Sequence, residues 1–156
     1  MKTCFGFNNL SSYGTKISGS IIRYLVRRDD TSSDLAGYIF KNNQILLSIL
    51  PKDFSFIAED NLHSIFGTFA QTGLKINMMQ NSALSFSVCL DYNDIIFEKL
   101  IPLLKNSFKV RYNTGLQLIT IRYYNNDIIS SIVGQRHILL EQRSRSTVQI
   151  LVENAQ

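Results

Sequence analysis

Met79-Gln80-Asn81-Ser82-Ala83-Leu84-Ser85-Phe86-Ser87-Val88-Cys89-Leu90-Asp91 opens on a polar corner and then alternates. Leu84, Phe86, Val88 and Leu90 fall on one face, and Ser85, Ser87 and Cys89 on the other. A period of two marks a strand with one buried face. The pattern returns near the end of the chain, in Glu141-Gln142-Arg143-Ser144-Arg145-Ser146-Thr147-Val148-Gln149-Ile150-Leu151-Val152-Glu153. At one constant offset Gln80 falls on Gln142, Ser82 on Ser144, Phe86 on Val148, Val88 on Ile150 and Asp91 on Glu153. A module present twice is the main statement the sequence makes about its fold.

Outward from the first copy, residues 38–41 and 44–50 are β-rich runs around Asn42-Asn43, which reads as a hairpin turn. Ala58, Leu62, Ile65, Phe66, Phe69 and Ala70 recur at helical spacing, which predicts an amphipathic helix over 56–72. Ser55 is its expected N-cap, Glu59 and Asp60 put negative charge in its first turn, and Gly73 ends it. Residues 74–79 are the next strand, and the alternating strand follows over 84–91. Asn93 or Asp94 caps a second helix, which Pro102 is expected to kink or shorten. A strand over 108–112 and a turn at Asn113-Thr114-Gly115 complete one β-α-β-β-α-β unit, the ferredoxin-like arrangement of an α+β fold.

The second unit starts at Leu116, with a short helix from Asp127 to Gly134, a strand over 138–141 and the repeated strand over 147–152. Gln44 to Gln80 is longer than Gln117 to Gln142 by about three helical turns, a difference assigned to the helix. This unit lacks a second helix and a fourth strand. Residues 3–17 are expected to fold back and supply what is missing. The expected domains are therefore 35–113, and 1–17 with 114–156, joined by a mobile linker over 18–34.

The chain has 156 residues, 45% apolar and 18% charged, which suits one ordinary domain or two small ones. No apolar run is long enough to span a bilayer, and the N-terminus has no signal-peptide pattern. Cys4 and Cys89 lie far apart with no metal-ligand spacing, so two free thiols and a cytoplasmic setting are expected. The formal charge of +4 comes largely from Arg23, Arg27 and Arg28 and from Arg136, Arg143 and Arg145. Neither group forms a basic run interleaved with exposed aromatics, so a solvated basic surface is expected rather than a nucleic-acid patch. His63 and His137 read as surface histidines. Glu141, Arg143 and Arg145 near His137 do not make a catalytic cluster, because no nucleophile or oxyanion site accompanies them.

The ordered set of Ile65-Phe66-Gly67, Leu74-Lys75-Ile76-Asn77, Met79-Gln80-Asn81-Ser82 and the alternating strand resembles the tandem regulatory ACT domains of aspartate kinases. In that family a similar Val/Ile-Phe-Gly step lies on the helix, and a Gln- or Thr-rich corner with a Ser precedes the strand. Residues 138–149 resemble the last strand pair of one monofunctional subgroup, and Phe7-Asn8 to Gly14-Thr15 is similar to the segment that follows the kinase domain. The resemblance implies that the second ACT unit is split, with its first segment placed before the first unit. No Gly-rich nucleotide loop is present. The chain therefore looks like the regulatory half, without catalytic residues and with no cofactor of its own. ATP and magnesium belong to the kinase domain of the parent enzyme, which makes 4-phospho-aspartate.

A free amino acid needs donors for its carboxylate, and the start of the long helix around residues 55–59 offers backbone N–H groups and a positive dipole end. Its ammonium needs acceptors, which the corner and adjacent strand supply. Carried over from the resemblance, the effector-binding positions are Ser55, Phe56, Ile57, Ala58, Asn77, Gln80, Asn81 and Ser82. Asn and Ser are also ordinary turn residues, so a purely structural corner is the competing reading. In lysine-inhibited relatives a Glu follows the corner Ser, and here that residue is Ala83. The expected partners are lysine first or threonine second, a second copy through the sheet edges, and the kinase domain of the same polypeptide, with no nucleic acid and no membrane. The alternatives are an RNA-binding ferredoxin-like module and a ligand-free dimerisation module.

Overall fold

The computed structural model describes residues 3–7, 10–17, 20–27, 36–53 and 55–154, with side chains from residue 37 onward. Two compact units emerge: Met1–Asn42 with Leu116–Gln156, and Asn43–Gly115. For convenience these are the split unit and the continuous unit.

The continuous unit contains the end of β4 (Ala36–Pro51), α1 (Glu59–Thr72), β5 (Ile76–Asn81), β6 (Phe86–Asp91), α2 (Asp94–Ser107) and the start of β7 (Phe108–Arg122). Its strand order is β7-β4-β6-β5, with β4–β6 and β5–β6 antiparallel. This is the ferredoxin-like βαββαβ topology expected from the sequence. The alternation of the repeated strand sets the layers. Phe86, Val88 and Leu90 face the helices and join Ile45, Leu47, Ile49, Ile65, Phe69, Leu100, Leu104 and Phe108 in one core. Gly73 closes α1 at φ 68°, and its N–H reaches the Ala70 carbonyl at 3.2 Å.

The split unit contains β1 (Thr3–Phe7), β2 (Leu10–Ile17), β3 (Ser20–Arg27), the start of β4, the end of β7, α3 (Asn126–Val133), β8 (Ile138–Arg143) and β9 (Thr147–Glu153). Its strand order is β1-β2-β3-β4-β7-β9-β8. Tyr38, Ile119, Ile121, Ile129, Val133, Val148, Ile150 and Val152 form its core.

The duplication extends to irregularities. The β5–β6 register slips between Ile76 and Met78, and the β8–β9 register slips between Ile138 and Leu140, the equivalent place. Ser82 N–H donates to the Ser85 carbonyl at 2.9 Å, and Ser144 N–H to the Thr147 carbonyl at 2.8 Å.

Several sequence expectations differ from this architecture. Asn42-Asn43 is no hairpin: β4 runs through it, and Asn43 takes φ 56° within the strand. Asn113-Thr114-Gly115 likewise lies inside β7, with Gly115 at φ 69°. The turn chemistry correctly marks a left-handed residue, but one such residue in a paired strand bends the chain instead of reversing it. Pro102 does not interrupt α2, because its ring sits on the exposed side of the helix and only one backbone bond is lost. The N-caps are Ala58 and Asn125 rather than Ser55 and Asp127. The strand beside β7 in the split unit is β4, not residues 3–17, and β3 falls within the stretch expected to be a linker. Finally, α1 has 14 residues and α3 has 8, so the helix accounts for only part of the length difference. The rest lies in the longer loop that precedes α1.

Candidate functional site

The loop before α1 is fixed at Ile57. Its N–H donates to the Ala83 carbonyl at 2.8 Å, and its side chain is buried in the core. Burying Ile57 turns its neighbour Phe56 outward, where 68% of it is exposed. The Asn61 amide donates to the Phe56 carbonyl at 3.3 Å. Upstream, the Ser55 hydroxyl and N–H both donate to Asp53 Oδ1, at 2.7 and 3.1 Å. Those two bonds, the hydroxyl first, hold the Asp53 carboxyl below its usual range.

Ala58 occupies the N-cap of α1 in an extended conformation and brings no side-chain oxygen. The other two helices are capped in the ordinary way. Asn93 Oδ1 accepts from Ile96 N–H at 3.1 Å and Asn125 Oδ1 from Ile128 N–H at 2.8 Å. The first-turn N–H groups of α1 have no intrahelical acceptors and no cap from Ala58. Among the described residues, the acidic groups next to this positive helix end in sequence are Glu59 and Asp60 on the turn itself and Asp53 in the preceding loop, where Ser55 engages it.

The corner is built on Ser82. Its hydroxyl donates to the Ser85 carbonyl at 3.0 Å and accepts from the Ser85 N–H at 3.1 Å. Ser144 repeats these bonds with Thr147, at 3.0 and 3.2 Å. The Ile57–Ala83 bond joins this corner to the helix start, so Ser55, Phe56, Ile57, Ala58, Asn81 and Ser82 gather at one end of the unit. Gln80 lies one residue further along β5, opposite Ser87, and is exposed.

Asn77 does not join them. It sits in the bulge at the start of β5, about 13 Å from Asn81 at the usual strand rise. Its amide donates to Gln44 Oε1 and Asp91 Oδ1, both at 2.8 Å. Gln44 Nε2 donates to Asp91 Oδ1 at 2.8 Å, and the Cys89 thiol to Gln44 Oε1 at 3.4 Å. This network satisfies Gln44, whose side chain is buried. The sequence reading misses Gln44, Cys89 and Asp91 as a group. The alternation that places Cys89 and Asp91 on one face is a signal for two of them, and Gln44 pairs directly with Asp91.

In the split unit the equivalent corner is closed differently. Tyr123, at φ 54°, donates its N–H to the Ser146 carbonyl at 2.6 Å. The Tyr124 hydroxyl reaches the Ser144 carbonyl at 3.1 Å, and the Arg143 guanidinium lies 5.8 Å from the Tyr124 ring centre. Arg143 also pairs with Glu141, which pushes its pKa up. His137 and Glu153 approach to 3.7 Å at an exposed position. Among the described residues no three His, Cys, Asp or Glu side chains are placed to hold a metal ion. Among the described residues, no helix is long and apolar enough to cross a membrane.

No protein-family model matches the chain, and no curated protein matches its sequence. Solved structures do match its fold. One is a C-terminal regulatory domain of aspartate kinase from Porphyromonas gingivalis, with TM-score 0.64 and 16% identity over 76% of this chain and 86% of that one. Another is Escherichia coli aspartokinase III in complex with lysine and aspartate, with TM-score 0.63 and 17% identity, covering 83% of this chain but 32% of that one. A third is the regulatory subunit of aspartate kinase from Thermus thermophilus, with TM-score 0.56 and 9% identity over 78% and 89% of the two chains. At these identities the likeness establishes the fold. The chain spans most of the separate regulatory domains and about a third of the full-length kinase.

Proposed function

We propose that this chain is the regulatory, amino-acid-binding ACT region of an aspartate kinase. In this reading an end-product amino acid, lysine first and threonine second, binds the continuous unit and biases a kinase domain of the same polypeptide in the cytoplasm. The observation that carries the reading is the junction of an uncapped α1 N-terminus with the Ser82 corner through the Ile57–Ala83 bond. The fold supports it, since its neighbours include a C-terminal regulatory domain of aspartate kinase and an aspartokinase III solved in complex with lysine and aspartate. The effector carboxylate takes the first-turn N–H groups of α1, whose dipole favours an anion there. Its ammonium takes oxygen acceptors from Gln80, Asn81 and Ser82. Ala83 contributes only its carbonyl to Ile57, so a lysine side chain finds its acidic partner in Glu59 or Asp60 of the first turn.

Effector binding transmits by population shift, through a difference in affinity between two arrangements of the protein. Calorimetric titration of the chain with lysine and with threonine tests the reading. Saturable binding that weakens in Asn81→Ala and, for lysine only, in Glu59→Gln is the expected result. Heats of dilution alone at millimolar concentration for both amino acids would overturn it.

A further inference from the structure

The two corners share a backbone but not a surface. Pairing places Leu50 of the continuous unit where Arg122 stands in the split unit, since Ile49 pairs with Phe86 and Ile121 with Val148. Asn81 corresponds to Arg143 and Ala83 to Arg145. One corner is thus neutral at all three positions, and the other carries three guanidinium groups on the same hairpin geometry. Arg143 is engaged by Glu141, by Asn126 at 3.4 Å and by the Tyr124 ring. Arg122 and Arg145 are different. Both are exposed, and among the described residues neither has an acidic partner. Arg122 is held in place by the Tyr123 ring, 5.0 Å from its guanidinium carbon, and donates to the Tyr123 hydroxyl at 3.3 Å. The Tyr123 N–H bond to Ser146 ties that strand end to the turn carrying Arg145, and Arg122 pairs with Thr147 at the close of the same turn, so the two arginines spring from adjoining stretches of backbone.

The surroundings are polar rather than acidic. Thr147 lies directly opposite Arg122, and Thr120, Gln149 and Gln142 form the next row on the same face. We infer that Arg122 and Arg145 form a binding site for a phosphate-class oxyanion, with Thr147 as a neutral hydrogen-bonding neighbour. Two guanidiniums without an acidic partner among the described residues match a doubly charged phosphoryl group, and their planar forks suit its paired oxygens. A phosphate ester, a diphosphate or a nucleotide tail presents the same chemistry. The site shares no residue with the amino-acid site proposed above.

The test is titration of the full chain with pyrophosphate, with ATP and with citrate, each against sodium chloride at matched ionic strength to remove general screening. Arg122→Gln and Arg145→Gln are exposed changes, and circular dichroism melts check that both variants fold. Saturable binding of pyrophosphate is expected, weakened roughly tenfold or more by either substitution. Tighter binding of ATP than of pyrophosphate places a nucleotide there, and equal binding places the phosphates alone. Citrate binding better than both overturns the assignment to phosphate. So does a response that sodium chloride reproduces, or one that the folded double variant retains.

Discussion

Ser82 is both a turn residue and a proposed ligand contact, and its two roles separate by measurement. Its hydroxyl makes a donor and an acceptor bond within the turn, and Ser144 does the same in the other unit. Removing either hydroxyl should cost about 1 kcal/mol in denaturant unfolding. The Ser82→Ala loss should grow when effector is present, and the Ser144→Ala loss should not. Gly73 is a simpler case. At φ 68°, and with nothing within 4 Å of the place a β-carbon would take, Gly73→Ala meets backbone strain but no clash. A fall of about 1 kcal/mol in unfolding free energy is expected. Asp53 adds a pH dependence. Its carboxyl is held below the ordinary value by Ser55, so its contribution is fully present above that value. It is lost as the pH falls through the depressed one. Urea melts of Ser55→Ala and the parent should therefore differ at neutral pH and converge in acid.

Among the elements, α1 is the one whose start is left open. Ala58 already has the extended backbone of a capping residue. Ala58→Asp should therefore stabilise the fold by about 1 kcal/mol through a cap to the first turn. The same carboxylate would occupy the N–H groups that the proposed effector uses, so effector affinity should fall while stability rises. A parallel loss of both would contradict the assignment of those N–H groups. The helices are legible in the sequence because their apolar spacing, Gly73, Gly134 and Asn93 are local signals. The caps at Ala58 and Asn125 are less legible: Ser55 carries stronger capping chemistry than Ala58, Asp127 caps as well as Asn125 does, and only the tertiary bond at Ile57 settles where α1 begins. The long strands β4 and β7 read as broken because Asn43 and Gly115 carry turn chemistry, and pairing partners decide whether such a residue reverses a chain.

At the scale of the whole chain, the repeat is legible down to its offset. Matching Gln44 to Gln117 by sequence is one residue out. Gln44 pairs with Asp91, whereas Leu116 pairs with Glu153, the residue equivalent to Asp91. A slip of one position reverses the face of a strand residue, so Gln44 joins Cys89 and Asp91 while Gln117 turns toward Arg136, which donates to it at 2.6 Å. Resemblance puts Asn77 in the candidate site, and three-dimensional pairing sends it to the Gln44 network. Local sequence holds the corner and the helix start, but not their distance from the bulge. At the edge of the continuous unit, β5 pairs only with β6 among the described residues, and Met79 and Leu84 are more than half exposed beside it. Such an edge invites pairing with a second copy. Sedimentation at micromolar concentration should give a dimer, and Met79→Lys should move it toward the monomer.

The most direct test of the central claim is a thermal-shift screen of the chain against the twenty amino acids, repeated with Ala58→Asp. The account predicts a saturable rise in Tm with lysine or threonine, as for any ligand that binds only the folded state, and a much smaller rise in the variant. No shift from any of the twenty at millimolar concentration, or an equal shift in the variant, would contradict it.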